Sequence, residues 1–242
     1  MAGGTMTQPK QWLDTWMQDR PRLIAIGLIL LIGLSAFWVF NTDTFYVYKL
    51  DVVGTGYLTA AEIEQASGIM NYNIFFVDAR SVERALAKLP EVKTVRVTTN
   101  LPNRVSINIV ERKPEITWLR GNEMYWVDVD GIGFRARTNL AELPVIRDLD
   151  QTTVKPGQPI HPDAINAFWA FRRAWVDGPR NVEWSNARGL TFTDERGWKI
   201  YLGDANEMAG KLAKLRALVA QLVAQNARIR FIDLGRGEPY YQ

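Results

Sequence analysis

One apolar stretch dominates the hydrophobic pattern. Leu23 to Phe40 reads LIAIGLILLIGLSAFWVF, with no charged residue and no proline. At a rise of about 1.5 Å per residue these positions make roughly 27 Å of helix, enough to cross a thin hydrocarbon core. Beyond it, apolar and polar positions intermix as in a water-soluble chain. The pattern predicts a polar tail over 1–22, a single transmembrane helix over 23–40, and globular mass on one side of the bilayer. Lys10, Arg20 and Arg22 precede the run; Asn41-Thr42-Asp43-Thr44 follow it, and the next base is Lys49. Positive flanks stay cytoplasmic, so the N-terminus is expected inside and the bulk outside. A cleaved signal peptide needs a shorter apolar core and small residues at a cleavage step. This run ends Phe37-Trp38-Val39-Phe40 with no Ala-x-Ala, and Trp38 and Tyr46 suit an interfacial aromatic belt. The tail carries Trp12, Trp16 and Met17, a spacing that fits either a disordered segment or a short interfacial helix.

From residue 45 the periodicity becomes that of a small α+β unit. Tyr46 to Val53 is rich in β-branched and aromatic residues and reads as a strand, broken by Gly54-Thr55-Gly56. Thr59 and Glu62 have capping-box spacing, which starts a helix at about Ala60. Ile74 to Val77 is a short apolar stretch. Asp78 can cap a second helix over Ala79–Leu89, with Val82, Leu86 and Leu89 on one face and Pro90 ending it. Strands over Val92–Thr99 and Arg104–Arg112 flank the turn Asn100-Leu101-Pro102-Asn103. In the second, Val105, Ile107 and Ile109 take one face and Ser106 and Asn108 the other. The order strand, helix, helix, strand, strand predicts a three-stranded sheet backed by two helices.

The remainder is mostly strand. Glu115–Leu119, Met124–Val129 and Ile132–Arg135 read as strands, the last two joined by a tight Asp130-Gly131 turn. Leu143 to Ile146 is extended. A helix is expected over Pro162–Val176, a strand pair over Leu190–Thr193 and Trp198–Leu202, and an amphipathic helix over Ala205–Gln225. Its stripe is Met208, Leu212, Leu215, Val219 and Leu222. Ile229 to Leu234 is the last strand. The expected class is α+β, with a mostly antiparallel second part carrying two helices.

Composition removes most chemistry. There is no cysteine, hence no disulfide framework, thiol nucleophile or thiolate metal site. The lone histidine, His161, precedes Pro162 at a helix start and reads as a capping or surface residue. No Gly-x-Ser-x-Gly occurs, and the paired glycines at 54/56 and 131/133 do not continue into phosphate loops. Asp128-x-Asp130-Gly131 resembles part of a calcium loop, but Trp126 and Arg137 hold places that need oxygen ligands. Neither a metal nor another cofactor is expected. A net charge of +3 from 29 basic and 26 acidic residues gives no compact basic tract, so nucleic acid is not an expected partner. The residues point to a non-enzymatic interaction module on a membrane tether, which concentrates it near other membrane-bound partners.

Leu89-Pro90-Glu91-Val92, Leu101-Pro102-Asn103-Arg104-Val105 and Val110-Glu111-Arg112-Lys113-Pro114 resemble a POTRA domain placed just after a membrane anchor. They are followed by Trp118, Tyr125-Trp126-Val127-Asp128-Val129-Asp130-Gly131, Leu143-Pro144, Tyr201-Leu202-Gly203, a helix containing Lys211, and Ile232-Asp233-Leu234. That succession is similar to the FtsQ/DivIB family of bacterial cell-division proteins over residues 23 to 242. The resemblance implies a POTRA domain at 45–113 and a β domain at 114–242. It implies a divisome scaffold at the septum that binds FtsB/DivIC-type and FtsL-type membrane proteins, helps regulate septal cell-wall synthesis, and admits weak homodimerisation. It places the partner on the last sheet edge, Arg228 to Tyr241, by strand addition. On that edge Phe231, Arg236, Tyr240 and Tyr241 are the expected contacts, because aromatics and Arg dominate interface hot spots, with Asp233 among them and Arg188 as a nearby basic residue. Glu111-Arg112-Lys113-Pro114 also reads simply as a solvated strand end. The family often has Asp-Leu-Arg where this chain has Asp233-Leu234-Gly235, and Gly235 is expected to mark a bulge. The alternative reading, a POTRA-bearing envelope assembly or secretion factor, requires a downstream barrel of strands of about ten residues that the pattern does not show.

Overall fold

The computed structural model describes residues 10–235 and 237–242, with side chains from residue 20 onward. Helix α1 runs unbroken over Lys10–Asn41, through Pro21. Its Arg20–Asn41 part is long and apolar enough to span a membrane, and its side chains are open to the surroundings. Much of the expected tail is therefore continuous with the anchor helix, whereas residues 1–9 and the side chains of Trp12, Trp16 and Met17 lie outside the described part. The helix ends as Asn41 Nδ2 donates to the Phe37 carbonyl (2.9 Å) and the chain turns through a short 3₁₀ segment, Asp43–Phe45.

The small sheet forms next. Strand β1 is Leu50–Val53, β2 is Val92–Asn100 and β3 is Arg104–Glu111, in the order β1-β3-β2. β1 is parallel to β3 and β2 antiparallel to it. Helices α2 (Ala60–Ser67) and α3 (Ala79–Leu86) complete the unit. Ile63, Val82 and Leu86 pack with Val97, Val105, Ile107 and Ile109 into one core. The capping box is complete: Thr59 Oγ1 accepts from the Glu62 amide, and the Glu62 carboxylate accepts from the Thr59 amide. Two expectations are corrected. The first strand begins only at Leu50; Tyr46 makes an isolated bridge to Asn73, and the buried Val47 exchanges backbone bonds with Asn71 and Tyr72 instead of a strand. Helix α3 stops at Leu86 rather than Leu89, its last turn relaxing before Pro90.

The large sheet has nine strands. They are β4 (Ile116–Arg120), β5 (Glu123–Val127), β6 (Gly133–Arg135), β7 (Val145–Asp148), β8 (Asn181–Ser185), β9 (Gly189–Thr193), β10 (Lys199–Gly203), β11 (Phe231–Asp233) and β12 (Tyr240–Tyr241). Their order is β12-β11-β10-β9-β8-β7-β4-β5-β6. Most pairs are antiparallel, but β10–β11, β7–β8 and β4–β7 are parallel because a helix, or for β4–β7 the strands β5 and β6 with the loop after them, carries the chain across. Helices α4 (Pro162–Ala174) and α5 (Met208–Ala224) cover one face. Phe168, Phe171, Leu212, Leu215 and Leu222 meet Ile116, Trp118, Ile146, Val182, Ile200 and Ile232 there. The opposite face is covered over β5 and β6, where Trp126 and Phe134 are buried, and opens toward β11 and β12. The expected 130/131 turn is a five-residue loop, 128–132, in which Asp128 Oδ1 accepts from the amides of Asp130 (3.0 Å) and Ile132 (2.9 Å).

Charges tie the two parts together. Arg112 Nη1 meets Asp128 Oδ2 at 2.6 Å, and Lys93 Nζ meets Asp130 at 2.8 Å. Arg137, from beyond β6, reaches Glu62 on α2 (2.8 Å) and Glu91 before β2 (3.2 Å). Tyr57 packs on Trp126, ring centroids 4.7 Å apart. The strand end at 111–114 is thus not merely solvated: Glu111 accepts from the amides of Gly56, Tyr57 and Leu58, and Arg112 spans the joint. Glu62 is held at a pKa of about 2, first by the Thr59 amide and then by the Arg137 guanidinium.

Candidate partner-binding edge

The last sheet edge is built by the return of the chain after α5. Residues 228–230 lead into β11, which lies parallel to β10 in the register Lys199↔Phe231 and Tyr201↔Asp233. Past Leu234 the chain doubles back, and β12 pairs antiparallel with β11 as Ile232↔Tyr241 and Asp233↔Tyr240. The segment 228–241 is therefore a hairpin, and the open edge is β12 rather than β11. The ladder continues as Phe231 and Gln242 exchange bonds (3.2 and 3.3 Å), which makes Ile232↔Tyr241 a wide pair. By that alternation the N–H and C=O of Tyr241 point away from the sheet.

Glycines allow this turn-back. Gly203, at the end of β10 with φ +75°, lies against Gly235: a Cβ on Gly203 would stand 2.8 Å from the Gly235 Cα. A side chain on Gly203 would press β11 off β10, whereas a Cβ on Gly235 would stand 3.2 Å from the Gly203 Cα and ask for only a small shift. The register shift falls at Gly203, between β9 and β10, not at Gly235 as expected. Gly235 instead sits in a turn, its amide donating to Asp233 Oδ1 at 2.9 Å.

The residues singled out in the sequence come together only in part. Arg188, in the turn between β8 and β9, pairs with Asp233 (2.8 Å) and lays its guanidinium over the Tyr201 ring at 4.9 Å. Tyr201 meets Phe231 edge-on at 5.8 Å, and Phe231 meets Tyr240 at 5.8 Å. A row Arg188–Tyr201–Phe231–Tyr240 thus crosses the open face out to the edge. Tyr241 does not join it: its register partner, Ile232, is a core residue, so Tyr241 belongs to the other face. Tyr240 and Tyr241 are 59% and 45% exposed although both are paired in a strand. Arg236 lies outside the described residues. Tyr201 was missed by the sequence reading. Its signal was present, since it stands between the buried Ile200 and Leu202 and so must face outward.

Beside the row lies a groove of about 510 Å³, bordered by Asp163, Asn186, Arg188, Asp204, Asn206 and Asp233. Lys211, bonded to Asp204 Oδ1 at 2.9 Å, holds that carboxyl below its usual range. The groove is polar and suits charged or hydrogen-bonding groups rather than an apolar ligand. His161 neither caps α4 with its side chain nor stands on the open surface. Its Nε2 lies 3.2 Å from Trp184 Nε1 and 2.9 Å from Asn186 Oδ1, and its ring stacks on Trp118.

Comparison with known proteins agrees with this architecture. The family described as POTRA domain, FtsQ-type, matches residues 45–112, and the one described as Cell division protein FtsQ/DivIB, C-terminal, matches 116–235. The Cell division protein FtsQ of Chloroflexus aggregans is 26% identical over 227 residues, covering 91% of this chain and 82% of that protein. Its counterpart in Chloroflexus aurantiacus is 28% identical, covering 90% and 82%. That of Mycobacteroides abscessus is 24% identical, covering 82% and 63%. With both halves outside the anchor matched and in the same order, the chain belongs to the FtsQ/DivIB family of cell division proteins.

Proposed function

We propose that the β12 edge accepts a strand from a small single-pass coiled-coil division protein of the FtsB/DivIC type, with an FtsL-type protein as its companion. The chain then acts as a non-enzymatic scaffold of the divisome that helps assemble and regulate septal cell-wall synthesis. We read it as a POTRA domain over 45–113 and a partner-binding β domain over 114–242. Both lie outside the cytoplasmic membrane, and the N-terminus lies within the cell. The observation that carries this reading is the outward-facing backbone of Tyr241 on an end strand of two residues. An unpaired strand edge offers main-chain hydrogen bonds for affinity, and flanking side chains select the partner. Tyr240 and Phe231 supply aromatic contact on one face, Tyr241 on the other, and the Arg188–Asp233 pair supplies charge beside them.

Depletion in the native host, with septa imaged by a membrane dye, tests the role. Smooth filaments or enlarged cells lacking closed septa are expected, rescued by the wild-type chain and not by Tyr241→Pro. Normal septa on depletion would overturn the division role. Full rescue by Tyr241→Pro would overturn the strand-addition site.

A further inference from the structure

A second feature lies at the other end of the molecule, where the small sheet meets the anchor. The 3₁₀ turn Ile74–Phe76 buries Ile74 but leaves Phe75 and Phe76 53% and 66% exposed. Tyr72 and Tyr48 are exposed beside them. Two neighbouring phenylalanines at a loop tip contribute little to the core beneath, so their exposure calls for an apolar surrounding.

The geometry fixes what that surrounding is. Phe76 stacks on Phe40 with ring centroids 5.6 Å apart and planes 19° apart. Phe75 lies 5.3 Å from Phe45, which lies 5.8 Å from Trp38. Phe40 is the last apolar residue of the span, about 26 Å along the helix from Leu23 at about 1.5 Å per residue. It therefore sits at the boundary between acyl chains and headgroups, and a ring stacked on it sits at that depth too. The polar atoms agree. Asn73 Nδ2 donates to the Val39 carbonyl (3.3 Å) and Tyr46 Oη to the Phe40 carbonyl (3.1 Å). These are terminal carbonyls of the helix, which the helix itself leaves unpaired and which acyl chains cannot satisfy. The small domain thus closes the end of its own anchor.

We infer that the Tyr72–Phe76 turn is a second membrane contact. It dips Phe75 and Phe76 into the headgroup–acyl boundary of the leaflet at the C-terminal end of the span, with Tyr72 and Tyr48 at headgroup level. The occupant is the phospholipid surface itself, because the patch is continuous with the face of a helix that already lies in lipid. The domain is then pinned to the bilayer in one orientation rather than swinging on a linker. This inference rests on the membrane span and not on the partner-binding edge.

The chain contains no cysteine, so single labels can be placed cleanly. Tyr72→Cys, and Val176→Cys in the large domain as the exposed reference, are labelled with an environment-sensitive fluorophore. The full chain is placed in nanodiscs of phosphatidylethanolamine and phosphatidylglycerol. The label at 72 is expected to be quenched by lipids spin-labelled near the headgroup and shielded from iodide, and the label at 176 to show the reverse. Adding Phe75→Ser and Phe76→Ser should move the label at 72 to the quenching behaviour of 176, with an unchanged circular dichroism spectrum. A label at 72 as open to iodide as the one at 176 would overturn the inference. Shielding from both quenchers would also overturn it, and would assign the patch to a second copy of the chain.

Discussion

Replacing Arg137 by glutamine should loosen the small domain from the large one while leaving both folded. The side chain leaves the large sheet beyond β6 and holds two carboxylates of the other unit, Glu62 at 2.8 Å and Glu91 at 3.2 Å. The two arms differ in worth because their surroundings differ. Glu62 is 40% exposed, and an ion pair so open to water contributes roughly 0.2–1 kcal/mol. Glu91 is 12% exposed, so losing its cation leaves a largely desolvated carboxylate, at a cost of about 1–3 kcal/mol. Together the change should cost about 2 kcal/mol of docking free energy, roughly a 30-fold shift toward the undocked arrangement. Hydrogen exchange read by mass spectrometry over 56–62 and 128–137 reports that opening directly. The strands β2 and β9, inside each core, should keep their protection. A double-mutant cycle with Glu91→Gln and Glu62→Gln assigns the arms, and the coupling to Glu91 should be the larger. Additive effects of Arg137→Gln and Glu91→Gln, with coupling below about 0.3 kcal/mol, would refute the reasoning.

Three further outcomes follow from the same geometry. Glu62 has a folded pKa of about 2 against an ordinary 4.5, so its contribution to stability is complete above about pH 4.5 and is lost as pH falls toward 2. The difference in urea midpoint between the wild-type chain and Glu62→Gln should therefore shrink across that window, and a difference constant with pH would contradict it. Gly203→Ala puts a Cβ 2.8 Å from the Gly235 Cα at a positive φ, and should cost more than about 1 kcal/mol and expose the β10–β11 amides to exchange. Asp128→Asn removes the charge that Arg112 meets at 2.6 Å but keeps a side-chain oxygen for the 130 and 132 amides. It should weaken docking while preserving the β5–β6 hairpin, which nuclear magnetic resonance of the loop amides would report.

Local signals carried most of the elements. The capping box at Thr59 and Glu62, the Asp78 cap and the alternation of Val105, Ile107 and Ile109 are rules between near neighbours, and each stands in the structure as expected. The failures came where distant parts of the chain decide. Tyr46 to Lys49 has strand composition but no strand beside it, because the 70–73 loop takes its backbone. Strand β8 went unseen, since Asn181-Val-Glu-Trp-Ser is short and begins with a turn-forming residue. The candidate edge was legible as a position but not as a hairpin: a two-residue strand has no periodicity, and only pairing with β11 separates Tyr240 from Tyr241. Arg112 reads as a solvated charge, and the ion pairs of Arg112 and Arg137 escape notice, because their partners are carboxylates in elements whose packing the sequence does not reveal. Ile74 to Val77 reads only as a short apolar stretch, and the exposure of Phe75 and Phe76 depends on where α1 ends.

The measurement closest to the central claim is the affinity of the full chain, in nanodiscs, for the FtsB/DivIC-type protein of the same cell, compared between wild type and Tyr241→Pro. Proline at 241 removes the outward N–H while sparing the bonds of Gln242 to β11 and tolerating an edge-strand backbone. One lost main-chain bond costs about 0.5–1.5 kcal/mol, and the ring also obstructs the incoming strand, so affinity should fall at least about tenfold. The circular dichroism spectrum should stay unchanged. Equal affinities for the two chains would contradict strand addition at this edge.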